Sequence, residues 1–274
     1  MKKICAVAAL IVAALSLNSC GGYQYETVKG DPTGTRIYTL DNGLKVYTIV
    51  NKDQPRIDAQ VAVKVGSKND PRETTGLAHY FEHLMFKGTE QFGTQNYEAE
   101  KPLLDEIESL FEVYRATTDP AERKAIYHRI DSISYEASKI SIPNEYDKLM
   151  AMIGANGSNA STSEDLTCYT EDIPSNQIVN WAKIQSNRFK DPVFRLFHTE
   201  LEAVYEEKNM SMVQDSEKAY EALFSMLFKN HPYGTQTVIG TQDHLKNPSL
   251  INIRNYFNTY YVPNNVAICL SGDF

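Results

Sequence analysis

The chain has 274 residues, 42% of them apolar and 23% charged. That is enough apolar material to bury the cores of one or two compact domains, and it excludes a disordered or fibrous protein. The 27 basic residues are outnumbered by 35 acidic ones, for a formal net charge of −8, which argues against a nucleic acid or an anionic membrane bound through a basic surface.

Lys2 and Lys3 precede an apolar run from Ile4 to Leu17. The run is too short for a permanent bilayer-spanning helix and suits the hydrophobic part of an export signal. It ends in "LNSC", which resembles a bacterial lipobox, with cleavage before Cys20 and acylation of that cysteine. An ordinary signal peptide cut near Ser19 is the competing reading. The expected organisation is a signal peptide over 1–19, a tether over 20–34 and a folded domain over 35–274. Such a protein would be held to a membrane by its lipid in the bacterial cell envelope, in the periplasm or at the surface.

The next runs, "TRIYTL" and "LKVYTIV", flank Asp41-Asn42-Gly43, a strong hairpin signal because Asn-Gly tolerates positive φ. "DAQVAVKVGS" alternates as a third strand. The period then changes to helical: Leu77, Phe81, Leu84 and Met85 recur on one face, Thr74 or Thr75 can cap the start, and Gly88 suits the end. From about 102 to 142 two charged amphipathic helices read as a hairpin, with Asp119 as cap and Pro120 opening the second helix. "GANGSNASTSEDLTCYTEDIP" reads as a glycine-rich turn and strands. "SNQIVNWAKIQSNRF" and "VFRLFHTELEAVYEEKNMSM" read as helices, and a further helix precedes the strand "NNVAICLSGDF". Cys168 and Cys269 fall in strand-like runs and are expected to be buried free thiols; a disulfide between them is an open alternative.

On the first helix His79 and His83 stand one turn apart, with Glu82 beside the second. Two imidazoles at i and i+4 can hold one ion without distorting a helix, and the free glutamate can act as base. Alternatively, they are polar residues that merely share a helix face. A third ligand could come from "ELEAVYEE", where Glu200 and Glu207 lie two turns apart on one face, although a run of glutamates is also what a solvated helix surface looks like.

"HYFEH" is the inverted zinc motif HxxEH. Its surroundings resemble the M16, or insulinase/pitrilysin, family of zinc metallopeptidases. The resemblance extends in order through "LDNGLKVYTIV", "GLAHYFEHLMFKGT", "GANGSNASTSEDLTCYTEDIP", "ELEAVYEE", "HPYG" and "YYVPNNVAICLSGDF". It implies His79, His83 and Glu207 as ligands of one Zn2+ per chain, Glu82 as the general base, and Glu200 as the acid that orients a ligating histidine. It also implies that Asn159 and Ala160 lie on the edge strand that receives an extended peptide substrate. His198 and His231 are expected to be structural. The stretch between His83 and Glu207 is longer than the resemblance leads one to expect, which makes the helical hairpin an insertion.

The fold class expected is α+β, a largely antiparallel or mixed sheet covered by helices. Family members enclose substrate between several related domains, so the resemblance further implies a C-terminal half or a partner subunit. A non-catalytic zinc-binding or interaction subunit is the alternative function.

Overall fold

The computed structural model describes residues 23–274; the signal peptide expected over 1–19 and the expected lipidation site Cys20 lie outside the described residues. Seven strands form one mixed sheet in the order β1-β2-β3-β7-β4-β6-β5. They are β1 (Glu26–Thr27), β2 (Arg36–Thr39), β3 (Lys45–Val50), β4 (Arg56–Val63), β5 (Asn156–Thr162), β6 (Thr167–Pro174) and β7 (Val266–Gly272). Neighbouring strands run antiparallel except β3 and β7, which pair in parallel. The sheet and its helices agree with the α+β class read from the sequence.

The expected β2–β3 hairpin forms around Gly43. Its φ of 86° is open to glycine at no steric cost, and Asn42 Oδ1 accepts the Leu44 N–H at 3.1 Å. In β4 the alternation is visible in burial: Ile57, Ala59, Val61 and Val63 are buried, while Asp58 faces solvent on the other side. Tyr169 and Ile173 of β6 join the buried face, against which the helices pack.

The helices are α1 (Leu77–Leu84), α2 (Tyr97–Ala116), α3 (Pro120–Ser138), α4 (Glu145–Met152), α5 (Ile178–Lys190), α6 (Phe197–Ser211), α7 (Asp215–Leu227), the short α8 (Pro232–Thr235) and α9 (Gln242–Leu245), and α10 (Leu250–Tyr260). Two expectations for α1 need correction. Its cap is neither Thr74 nor Thr75. The buried Asp70 carboxyl group instead accepts the N–H groups of Gly76, Leu77 and Ala78 at 2.8, 3.1 and 2.9 Å. Thr75 is engaged with His244 Nδ1 at 2.7 Å and Thr74 Oγ1 accepts from Asn252. A carboxyl group with two oxygens satisfies more of the orphan donors of a first turn than one hydroxyl can. The helix also stops at Leu84, so Gly88, at φ 100°, belongs to the following loop.

The helical hairpin starts earlier than expected, at Tyr97, because Asn96 caps it by accepting the Ala99 N–H at 3.2 Å; Pro102 lies inside α2. Asp119 caps α3 as expected, accepting the Glu122 N–H at 2.8 Å. The hairpin is rooted in the core: Ile107, Phe111 and Ile130 are buried, and the Phe111 ring meets Phe197 of α6 at 4.9 Å. Glu100 on α2 is fully buried and holds Arg195, which is 1% exposed, through Nε at 3.0 Å and Nη2 at 3.1 Å.

Cys168 and Cys269 are free and half-buried rather than buried. They pair with Ala62 and Gln60 on opposite sides of β4. Two strand spacings, roughly 9.6 Å, exceed the roughly 7 Å between Cα atoms that a disulfide can bridge. The disulfide alternative is therefore closed.

Candidate metal centre

α1 and α6 lie side by side, joined where the Tyr80 hydroxyl donates to the Phe197 carbonyl at 2.6 Å. From α1, His79 and His83 project one turn apart, their ring centroids 4.8 Å apart and nearly perpendicular at 79°. From α6, Glu207 brings Oε2 to 3.7 Å from His79 Nε2 and 3.6 Å from His83 Nε2. One ligand atom from each of these three residues lies within 4.8 Å of the others, the one such group of three His, Cys, Asp or Glu residues among the described residues. Glu206, the next residue in sequence, which the two-turn spacing from Glu200 disfavours, is exposed and accepts from Asn209.

Glu200 stands two turns before Glu207, as the helical period dictates. Its Oε2 is 3.4 Å from His83 Nδ1, and its Oε1 is 2.5 Å from Lys87 Nζ. Glu82 is 7% exposed and accepts a hydrogen bond from Thr162 Oγ1 of β5 at 2.5 Å, so the last residue of the edge strand touches the carboxylate between the two histidines. Asn159 and Ala160 lie on the same strand. Among the described residues β5 is the end of the strand order and pairs with β6 alone, Asn159 opposite Thr170 and Ala160 opposite Tyr169.

Electrostatics differ sharply within this small volume. Burial, and then the neighbouring His83, pull the His79 imidazole down to about 4, so it is neutral at physiological pH. His83 is also pulled down by burial, but the Glu200 hydrogen bond and the charges of Glu200, Glu207 and Glu82 outweigh this and raise it above the usual histidine value. Burial raises Glu82 against the pull of Thr162. For Glu200 the upward push of burial is overcome by His83 and Lys87, leaving it below the usual carboxylate range. Three carboxylates and one ammonium around two imidazoles favour a bound cation.

Sequence reading placed His79, Glu82, His83, Glu200 and Glu207 correctly on two helices, and the tertiary structure brings those helices together. It missed Lys87, Thr162 and Asp70. Lys87 lies four residues after His83, a spacing that could have flagged it; Thr162 and Asp70 act across distances that no local pattern reports. His198 and His231 stand outside the group. His198 Nε2 is 3.6 Å from both Asp131 and Glu202, and His231 caps α8 through Nδ1, which accepts the Tyr233 N–H at 3.3 Å.

Residues 45–122 match the family model described as Insulinase (Peptidase family M16). Among curated proteins, the chain is 27% identical over 243 residues to "Zinc protease PqqE" of Helicobacter pylori, covering 86% of this chain and 42% of that protein. It is 21% identical over 238 residues to "Uncharacterized zinc protease YmxG" of Bacillus subtilis, covering 86% and 46%. In fold it resembles a protease from Helicobacter pylori, with a TM-score of 0.66 and 24% identity over 88% of this chain and 46% of the other. It also resembles pitrilysin, with a TM-score of 0.63 and 19% identity over 93% and 23%. The chain spans less than half the length of each of these proteins. Family model and relatives together support the presence of an M16, insulinase-like peptidase-family domain in this chain.

Proposed function

We propose that the chain carries a zinc-dependent endopeptidase domain that hydrolyses peptides or unfolded protein segments. The observation that carries this reading is the convergence of His79, His83 and Glu207 within 4.8 Å, with Glu82 between the histidines on the same helix. Two imidazole nitrogens and one carboxylate oxygen are a donor set suited to one zinc ion and leave a fourth position open. A zinc ion bound there would supply Lewis acidity, polarising a peptide carbonyl and acidifying water.

The remaining work falls to the chain's own groups. Glu82 accepts the proton of the attacking water and passes it to the leaving amine, its carboxylate held for this by Thr162. Glu200 orients the His83 ring from Nδ1. An extended substrate adds to the free edge of β5 at Asn159 and Ala160, where main-chain pairing binds peptides without demanding one sequence.

The coverage of the longer relatives favours a second half, in another domain or a partner subunit, that completes the enclosure around the substrate. A non-catalytic zinc-binding subunit would have no use for Glu82 as a base. Lipid attachment at Cys20 would place the protein on a membrane of the bacterial envelope.

The test is hydrolysis of a mixed library of unstructured peptides by the purified protein, with zinc measured on the same sample and Glu82→Gln as control. Cleavage that requires both zinc and Glu82 is expected. One bound zinc without cleavage would support the non-catalytic or partner-dependent reading, and no zinc at all would refute the site.

A further inference from the structure

A metal-binding imidazole has to be aimed, and the group that aims it has to be fixed in turn. His83 is aimed by Glu200, whose Oε2 is 3.4 Å from Nδ1. A glutamate side chain has several rotatable bonds, so one contact to a ring nitrogen does not fix its plane. The second contact is Lys87 Nζ, 2.5 Å from the other oxygen of the same carboxylate. Both side chains are shielded, Lys87 at 17% exposed and Glu200 at 15%, so this pair is less screened than one at an open surface.

Lys87 is held in its turn. Its carbonyl accepts a hydrogen bond from Arg195 Nη1 at 2.8 Å, and the same guanidinium donates to Phe92 O at 3.2 Å and to Thr89 O at 2.7 Å. This pins the loop that leaves α1. Arg195 pairs with Glu100 of the helical hairpin, and Glu100 also accepts from Ser141 Oγ at 3.0 Å. A continuous line of polar contacts thus runs from the hairpin through Arg195, the Lys87 main chain, the Lys87 ammonium and Glu200 to His83.

We infer that Lys87 is a positioning residue of the metal centre: by holding one oxygen of Glu200 it aims the other at His83 Nδ1, leaving His83 Nε2 toward Glu207, while Arg195 and Glu100 of the hairpin keep Lys87 in place. The inference rests on the zinc reading of His79, His83 and Glu207, and it gives the hairpin a part in the site.

The experiment measures zinc dissociation constants by chelator competition on the full protein carrying Lys87→Met, Lys87→Gln or Lys87→Arg, with His79→Ala as reference and thermal melting of each metal-free variant. Lys87→Met and Lys87→Gln should weaken zinc binding roughly 10- to 100-fold, the usual loss for a group that supports a ligand. Melting of the metal-free protein should change little, and kcat should fall with KM nearly unchanged. Lys87→Arg should restore most of the affinity, because a guanidinium also holds a carboxylate. A purely structural lysine would lower the melting temperature and leave the affinity of the folded fraction intact. If Lys87→Met and Lys87→Gln bind zinc as tightly as the unsubstituted protein while His79→Ala does not, the role of Lys87 is overturned and the metal site stands. If His79→Ala also binds as tightly, or the unsubstituted protein binds no zinc, the site reading fails and the Lys87 assignment with it.

Discussion

Replacing Arg195 by Met tests whether the helical hairpin is structurally fused to the metal-site scaffold. The guanidinium is 1% exposed; it pairs with a Glu100 carboxylate that is 0% exposed and donates to the carbonyls of Lys87, Thr89 and Phe92. Methionine matches the stem and removes the charge, leaving Glu100 buried with Ser141 Oγ as its one remaining side-chain partner among the described residues. Breaking one side of a buried pair costs about 3–5 kcal/mol, chiefly because the surviving charge is left uncompensated. For a domain of this size, whose total stability is on the order of 5–15 kcal/mol, that should lower the melting temperature by about 10 °C. Equilibrium unfolding in urea of Arg195→Met, Glu100→Gln and the double variant reads it directly. The double variant should be far less destabilised than the sum of the singles, since the second substitution removes the stranded partner. A loss below about 1 kcal/mol for Arg195→Met, or strict additivity in the double variant, would refute the reasoning.

Three other outcomes follow from the same geometry. Glu207→Gln should weaken zinc binding by roughly 100-fold or more, taking the loss typical of a supporting group as a floor; unchanged affinity in chelator competition would move the third ligand elsewhere. Thr162→Val removes the 2.5 Å hydrogen bond to Glu82. It should lower kcat roughly 10- to 100-fold, as expected for one bond to a charged group, with zinc content and KM unchanged; wild-type kcat would remove Thr162 from the mechanism. Burial pushes the Asp70 carboxyl up to about 8 despite its three N–H donors, against about 3.9 in an unfolded chain. Between those values the folded protein holds a proton that the unfolded chain has released. The stability this proton gives is complete below about pH 4 and is lost as pH rises through about 8. Asp70→Asn cannot titrate, so its unfolding free energy should fall less steeply from pH 5 to 8; parallel curves for the two proteins would show that the N–H donors dominate instead.

Local patterns determined a great deal about this protein. The alternation of β4, the Asn-Gly turn and the helical period around Leu77 and Leu84 were all legible because each depends on neighbours a few residues apart. The same logic put His79 and His83 on one side of a helix and Glu200 and Glu207 on one side of another, since a helix fixes which side chains share a face. What the sequence could not supply was the contact between those two helices, because the α1–α6 packing is decided by side chains scattered along the chain, among them Tyr80 and Phe197. Tertiary structure alone also decided the cap of α1. Thr74 and Thr75 have the right chemistry in the right place, yet the buried Asp70 carboxyl group from a preceding loop displaces both. The sequence showed the hairpin as two amphipathic helices without chemistry. Only the fold placed Glu100 against Arg195 and Arg195 beneath Lys87, since a buried charge takes whatever partner the packed chain brings within reach, regardless of separation in sequence.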